Sequence, residues 1–462
     1  MIANARQVFR QIPGVVLGGL VLALVLIPPV VPAAAPEGPL RIGLDPATAL
    51  MGIPFSFTVT GLKPGERVVI KGHTIDSRGY AWNSRAEFLA SAQGAVDLAQ
   101  QAPASGSYSG TDIFGLLWSM KPPDTPGKRP PSFAADETNG WTVDFTASDS
   151  AGKTATARLL RVYQMPGEGL VRVPLREDGM TGFLYCPAKG GPFPGVIILG
   201  GSGGGLYEWL AQAVASNGFA ALTLAYFNYA DLPTELVEIP LEYFYRAAAW
   251  LKSRPEVRAD RIGLAGGSKG GELALLLASY YDDFQAVVAW SPGAHSWEGL
   301  SQKYFAPDYR PMASWSLDGK PLPFVSFKVT QEDKEKEMKG ELHSFIELHH
   351  ISLAKNDPAL VKQASIPVER IKAPLLLVSG TLDQTWPADE FCCEILERLE
   401  KASFPYEVRH ISNQDAGHMS FLPYLITANT AAINGGMDQA NAAAGFRSWK
   451  ELLDFLRRHL CK

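Results

Sequence analysis

The chain has 462 residues, 46% of them apolar and 19% charged, with a formal net charge of -5. That length exceeds what one core comfortably fills, so two domains are expected, and the composition excludes a disordered chain. The mild negative charge excludes nucleic acid as a partner attracted by overall charge.

Arg6 and Arg10 precede an uncharged apolar run over 12–31, followed by Pro32, Ala33, Ala34, Ala35 and Pro36. A positive start, an apolar stretch and a small-residue exit read as an export signal over 1–35. The run is also long enough to cross a bilayer if it is retained as an anchor. Pro28, Pro29 and Pro32 disturb a helix at its far end, which favours the signal. The expectation is an exported protein, periplasmic or secreted, with possible membrane contact through this segment.

Residues 40–165 read as a small β-sandwich. The stretch 55–60 alternates, 61–66 is a turn, and 68–70 begins a second strand. Further strands are expected at 141–146 and 159–163, with a proline-rich loop at 122–131. Short strands at this spacing indicate a sandwich. The stretch 90–110 is small and polar, with no firm period.

The pattern changes from about residue 176. Continuous apolar strands are expected at 196–199, 220–224, 261–265, 286–290 and 375–378, and another strand at 406–409. Helices are expected at 206–216, 241–253, 269–280, 388–402 and 448–460. Unbroken apolar strands alternating with helices predict a mostly parallel sheet covered on both faces, an α/β fold over 176–462. An insert at about 291–373 interrupts it. The insert holds a charged helical stretch at 331–339 and the run 342–350, and an insertion of this length is a candidate lid.

Cys186, Cys392, Cys393 and Cys461 frame no disulfide network, and their spacing matches no zinc site.

G-x-S-x-G occurs twice, at 200–204 around Ser202 and at 266–270 around Ser268. The pattern marks a nucleophile only where a strand enters the serine and a helix leaves it. Ser268 meets both conditions, and the helix after it presents free amides to developing negative charge. Ser202 is followed by Gly203, Gly204 and Gly205, a poor helix start. Its loop suits an oxyanion hole instead, with an N–H near Gly201 or Ser202 paired with that of Lys269. A phosphate loop is not expected, because no G-K-[ST] follows Gly205.

A serine needs a base, and the base needs a carboxylate to hold it. His418 lies on a loop after the last expected strand, behind Gly417, and is the candidate base. His410 lies at the end of that strand and His459 on the terminal helix, both weaker positions. Asp383 follows the 375–378 strand at the carboxyl end of the sheet, where ligands bind in such folds, and is the candidate acid. Asp415 is the reserve, in a setting more typical of a turn. The predicted catalytic set is Ser268, Asp383 and His418, with Lys269, Gly201 and Ser202 at the oxyanion hole, and with no metal or cofactor.

From about residue 45 onward the chain resembles the acyl-CoA thioesterase and bile-acid-CoA:amino-acid N-acyltransferase family. The matching stretches are 108–118, 193–205, 218–233 and 262–272, with the loops carrying Asp383, Gln384, Thr385 and Trp386, and Gly417 and His418. The resemblance implies a β-sandwich before an α/β-hydrolase core, and a fatty acyl or similar thioester of coenzyme A as small-molecule substrate. It also implies that a Cys nucleophile goes with transfer to an amino acid and a Ser nucleophile with hydrolysis, so Ser268 points to a thioesterase. Three other readings stand beside it. One is an ester, lactone or amide hydrolase of the dienelactone-hydrolase-like type. Another is an acyltransferase, and the third a non-catalytic exported binding protein.

Overall fold

The computed structural model describes residues 38–122, 131–136, 138–167, 169–304, 306, 308–339, 344–419, 426–427 and 434–462. The expected export segment 1–35 and His343 lie outside the described residues.

The first half folds as two facing sheets. A three-stranded sheet holds Arg41–Asp45, Ser56–Thr60 and Ala95–Asp97. A six-stranded sheet includes Arg67–Ile75, Ala81–Leu89, Trp141–Asp149 and Thr154–Val162. In Arg67–Ile75, Val68 and Ile70 are buried while Lys71 and His73 face out, the period of two that a half-buried strand requires. Phe57 of one sheet meets Phe145 of the other edge-on, with ring centroids 4.9 Å apart. The strand Ala81–Leu89 was not among the expected elements. It buries Trp82, Ser84, Ala86 and Phe88 and turns Asn83, Arg85 and Glu87 outward or partly outward, an alternation half hidden by its small and polar members.

The second half is built on one eight-stranded sheet. Its strands are β1 (Leu170–Leu175), β2 (Thr181–Pro187), β3 (Phe193–Leu199), β4 (Ala220–Ala225), β5 (Val257–Gly267), β6 (Ala286–Trp290), β7 (Leu375–Gly380) and β8 (Val408–Asn413). Their order is β1-β2-β4-β3-β5-β6-β7-β8. β2 is antiparallel to both β1 and β4, and all later pairs are parallel. The six expected strands are β3 to β8. The antiparallel pair at the start is additional, and it moves the start of the sheet back to residue 170. β1 lies at the edge, where Pro174 removes no interior ladder bond.

Helices α1 (Glu208–Ala215), α2 (Leu241–Lys252), α3 (Lys269–Tyr280), α4 (Ile346–Lys355), α5 (Ala388–Lys401) and α6 (Asp438–Leu460) pack around this sheet and its insert. α5 buries Phe391, Ile395 and Leu399 at successive turns, one apolar stripe on an otherwise charged helix. α6 begins ten residues before the expected start at 448, because the alanine-rich stretch 440–444 continues the helix through Gly445. The two halves touch where the Phe114 ring lies 6.4 Å from Phe446 on α6. They are also tied where the Ser216 hydroxyl donates to the Tyr163 carbonyl at 3.0 Å.

Candidate active site

β5 runs directly into Ser268 and α3 leaves it. Ser268 has φ 57° and ψ -125°, a conformation that costs an L-residue energy and persists only when its surroundings impose it. The surroundings are visible. The Ser268 N–H donates to the Trp290 carbonyl at the end of β6 (2.8 Å), and the Ser268 carbonyl accepts from Gly271 and Glu272 in the first turn of α3. A Cβ on Gly270 would lie 2.4 Å from the carbonyl oxygens of Leu199 and Gly200, and one on Gly266 would lie 2.1 Å from the Gly270 oxygen. Only glycine lets the helix start this close to β3, and the side chain of Ser268 is thereby held at the turn's apex.

Asp383 and His418 lie on the loops after β7 and β8, as expected. His418 Nδ1 is 2.7 Å from Asp383 Oδ2, and both side chains are buried. The other carboxylate oxygen, Oδ1, accepts from the backbone N–H groups of Thr385 (2.8 Å) and Trp386 (3.2 Å). The carboxylate is therefore fixed and acts as acceptor, which puts the proton on Nδ1 and leaves a lone pair on Nε2.

The His418 loop is anchored beside Ser268. Ser291 donates to the His418 carbonyl at 2.8 Å, and the Trp386 indole donates to the Ser291 carbonyl at 2.8 Å. Ser291 follows Trp290, the residue that holds the Ser268 N–H. The end of β6 thus ties all three loops together.

The weaker candidates are engaged elsewhere. His410 is 2.7 Å from Ser379, His459 is 3.0 Å from Glu407, and Asp415 sits in a turn with φ 59°, its N–H donated to Thr381.

The glycine loop after β3 lies against Ser268: a Cβ on Gly201 would be 3.3 Å from the Ser268 Cβ. Tyr226 donates to the Gly200 carbonyl at 2.6 Å, and Asn228 to that of Gly203 at 3.0 Å, which fixes the loop from below. One expectation needs correction. The Gly201 N–H is already donated to the Tyr207 hydroxyl at 3.2 Å. Ser202 is exposed beside the cavity described next, and its N–H has no acceptor among the described residues. The same holds for the N–H of Lys269 at the head of α3. The available pair is therefore Ser202 with Lys269, and Gly201 serves by its small size.

A cavity of about 400 Å³ opens on Ser268, Ser202 and Lys269. Much of its wall comes from the insert, including Trp297, Leu300, Phe327, Phe345 and Leu348. Sequence reasoning singled out the 342–350 stretch but not Trp297 or Phe327, which come from segments without a period. The Lys269 side chain does not reach for solvent. It makes a buried ion pair with Glu272 (2.7 and 2.8 Å), and Glu272 also accepts from the Trp315 indole at 2.7 Å. Burial pulls the Lys269 ammonium down from its usual pKa and pushes the Glu272 carboxyl up, and their mutual attraction opposes both shifts.

Two further ionisable groups line this wall. Burial raises the Glu298 carboxyl to about 7, against hydrogen bonds from the Phe327 N–H (2.7 Å) and the Tyr309 hydroxyl (3.2 Å). Burial lowers His349 to about 4.

Residues 53–177 match the model of the acyl-CoA thioester hydrolase/BAAT N-terminal region, and residues 239–462 match that of the BAAT / acyl-CoA thioester hydrolase C terminal. The acyl-coenzyme A thioesterase 1 of Mus musculus is 32% identical over 88% of this chain and 93% of its own length. This chain belongs to the acyl-CoA thioester hydrolase/BAAT family. Its relatives include the human acyl-coenzyme A thioesterase 1, 31% identical over 88% of this chain and 93% of that protein. The mouse peroxisomal succinyl-coenzyme A thioesterase is 30% identical over the same shares. The first matched region covers most of the two-sheet half and reaches the first strand of the eight-stranded sheet, and the second covers that sheet from α2 onward.

Proposed function

We propose that the protein hydrolyses acyl-CoA thioesters through an acyl-enzyme on Ser268. The observation that carries the mechanism is the buried 2.7 Å contact between His418 Nδ1 and Asp383 Oδ2, on loops tied through Trp290 and Ser291 to the Ser268 elbow. Family membership supports the substrate class.

Ser268 Oγ attacks the thioester carbonyl as His418 Nε2 takes its proton. The negative oxygen rests on the N–H groups of Ser202 and Lys269, aided by the α3 N-terminus. The C–S bond breaks, and His418 returns its proton to the departing thiol. Water then gives a proton to Nε2 and attacks the acyl ester. The second tetrahedral intermediate collapses, Ser268 recovers its proton, and the carboxylic acid leaves. The apolar wall made by Trp297, Leu300, Phe327, Phe345 and Leu348 suits the acyl group, and the cavity volume falls in the range of small-molecule sites.

Parallel turnover of acyl-CoA esters and matched simple carboxylic esters by the purified protein tests the substrate class. A clear preference for the thioester is expected. A strong preference for the simple ester overturns it in favour of a general carboxylic-ester hydrolase.

Export through residues 1–35 is part of the proposal and rests on the sequence alone. No helix among the described residues is long and apolar enough to cross a membrane. Full-length soluble protein in the cytosolic fraction would overturn export.

A further inference from the structure

The cavity has a feature that an alkyl pocket does not need. His349 is buried in an aromatic box, with its ring 4.6 Å from Trp297, 5.2 Å from Phe327 and 6.1 Å from Trp386. A phenylalanine would fill that box without a polar atom. The imidazole brings two nitrogens, and the structure fixes what each can do. Nδ1 lies 2.7 Å from the Phe345 carbonyl, which can only accept, so Nδ1 carries the hydrogen. Burial keeps the ring neutral. Nε2 is then a bare lone pair. It has no donor among the described residues, and it is not one of the sealed, unpartnered polar atoms of the interior. Since His349 forms part of the cavity wall, the cavity is what remains for Nε2 to face.

Glu298 lies on the same wall, next in sequence to Trp297, and accepts from the N–H of Phe327, whose ring stacks on Trp297 at 5.2 Å. One side of the cavity thus carries two oriented polar groups, His349 Nε2 and the Glu298 carboxyl, which also accepts from the Tyr309 hydroxyl. An acceptor held among aromatic rings with little access to water is poorly bonded, and a substrate donor supplies the missing bond.

We infer that the preferred acyl group bears a hydroxyl that donates to His349 Nε2, with Glu298 as the second polar partner on that wall. This deepens the proposed thioesterase reading and rests on it for the leaving group only, because the subsite belongs to the acyl side.

The test compares octanoyl-CoA with its α-, β- and ω-hydroxy derivatives by kcat/KM. At least one hydroxy derivative is expected to exceed octanoyl-CoA by about tenfold or more, since a site built to bond a hydroxyl discriminates against its absence. In His349→Phe that ratio falls to about one, and in Glu298→Gln it falls part of the way. Fluorophosphonate labelling of Ser268 confirms that each variant is folded, and if His349→Phe does not fold, Glu298→Gln carries the test. No preference for any hydroxy derivative in the wild type, or a preference that survives His349→Phe, overturns the inference. If no CoA ester is turned over, the proposed function has failed. The same ratios measured on p-nitrophenyl esters of these acids then decide the subsite separately.

Discussion

Replacing Asp383 with asparagine isolates the role of one carboxylate oxygen. The amide oxygen of the new side chain can still accept from Thr385 and Trp386, so the loop keeps its shape. The amide nitrogen takes the place of Oδ2, 2.7 Å from His418 Nδ1, and two donors cannot face each other there. The imidazole relieves the conflict by moving its proton to Nε2, and the base then has no lone pair for Ser268. Loss of the correct tautomer in a serine triad costs about 10⁴ in kcat, or about 5 kcal/mol of transition-state stabilisation. Folding loses much less, about 1 kcal/mol, because a buried charge-assisted bond is replaced by a neutral one. The assay is thiol release from an acyl-CoA, with urea denaturation run alongside. A folded Asp383→Asn protein with kcat within tenfold of the wild type would refute the reasoning, because no tautomer of His418 could then matter.

Both Ser268→Ala and Ser268→Gly should abolish turnover, yet differ in stability. Alanine keeps the cost of φ 57° while glycine does not, so Ser268→Gly should be the more stable of the two by about 1 kcal/mol in urea denaturation. Gly270→Ala forces a methyl to 2.4 Å from two backbone oxygens of the β3 end, and should lose about 1–3 kcal/mol in the same experiment together with a fall in kcat as the oxyanion loop shifts. The Glu298 carboxyl is at about 7 folded against an ordinary 4.5, so the folded state holds the proton more tightly. Its contribution is full below about pH 4.5 and lost as pH rises to about 7, up to about 3 kcal/mol. Glu298→Gln should therefore flatten that part of the stability profile and stabilise the protein at pH 8 but not at pH 4. His295 and His349 act in the opposite direction. Each is at about 4 folded against 6.5, so stability falls as pH drops from about 6.5 to about 4, and His295→Phe should reduce that acid slope in pH-dependent denaturation.

What could be read from the sequence was what depends on neighbours along the chain. Ser268 was legible because an apolar strand, a glycine pair and a helix surround it within one stretch. Asp383 and His418 were legible because each follows a strand and a small residue marks the loop. The strand at 81–89 was missed because its inward face includes Ser84 and Ala86, which carry little hydrophobic signal although both are buried. That the Gly201 N–H is already engaged was not legible, because its acceptor, the Tyr207 hydroxyl, comes from a side chain whose direction no spacing reveals. The insert was least legible. Its polar residues are satisfied by partners far away in sequence, such as Trp315 bonding to Glu272 and the Phe327 N–H bonding to Glu298. Before those partners are known, a buried glutamate and a surface one look alike.

The geometry divides chemistry from selection along the chain. The candidate reacting groups come from loops after β3, β5, β7 and β8, and the end of β6 holds the last three in register through Trp290 and Ser291. The insert departs from that same point, at residue 291, and returns only at β7. Its residues line the cavity without supplying a member of the Ser268–His418–Asp383 set. A carboxylate beside Ser268 joins the two parts. Glu272, in the first turn of the nucleophile helix, accepts from Lys269 of the core and from Trp315 of the insert. The charge of Lys269 is thereby paired within the protein, so in the proposed mechanism its backbone N–H can face an oxyanion without a free ammonium beside the acyl chain. Substitutions on the far wall of the insert can then change which acyl group is held while the arrangement of Ser268, His418 and Asp383 stays as it is.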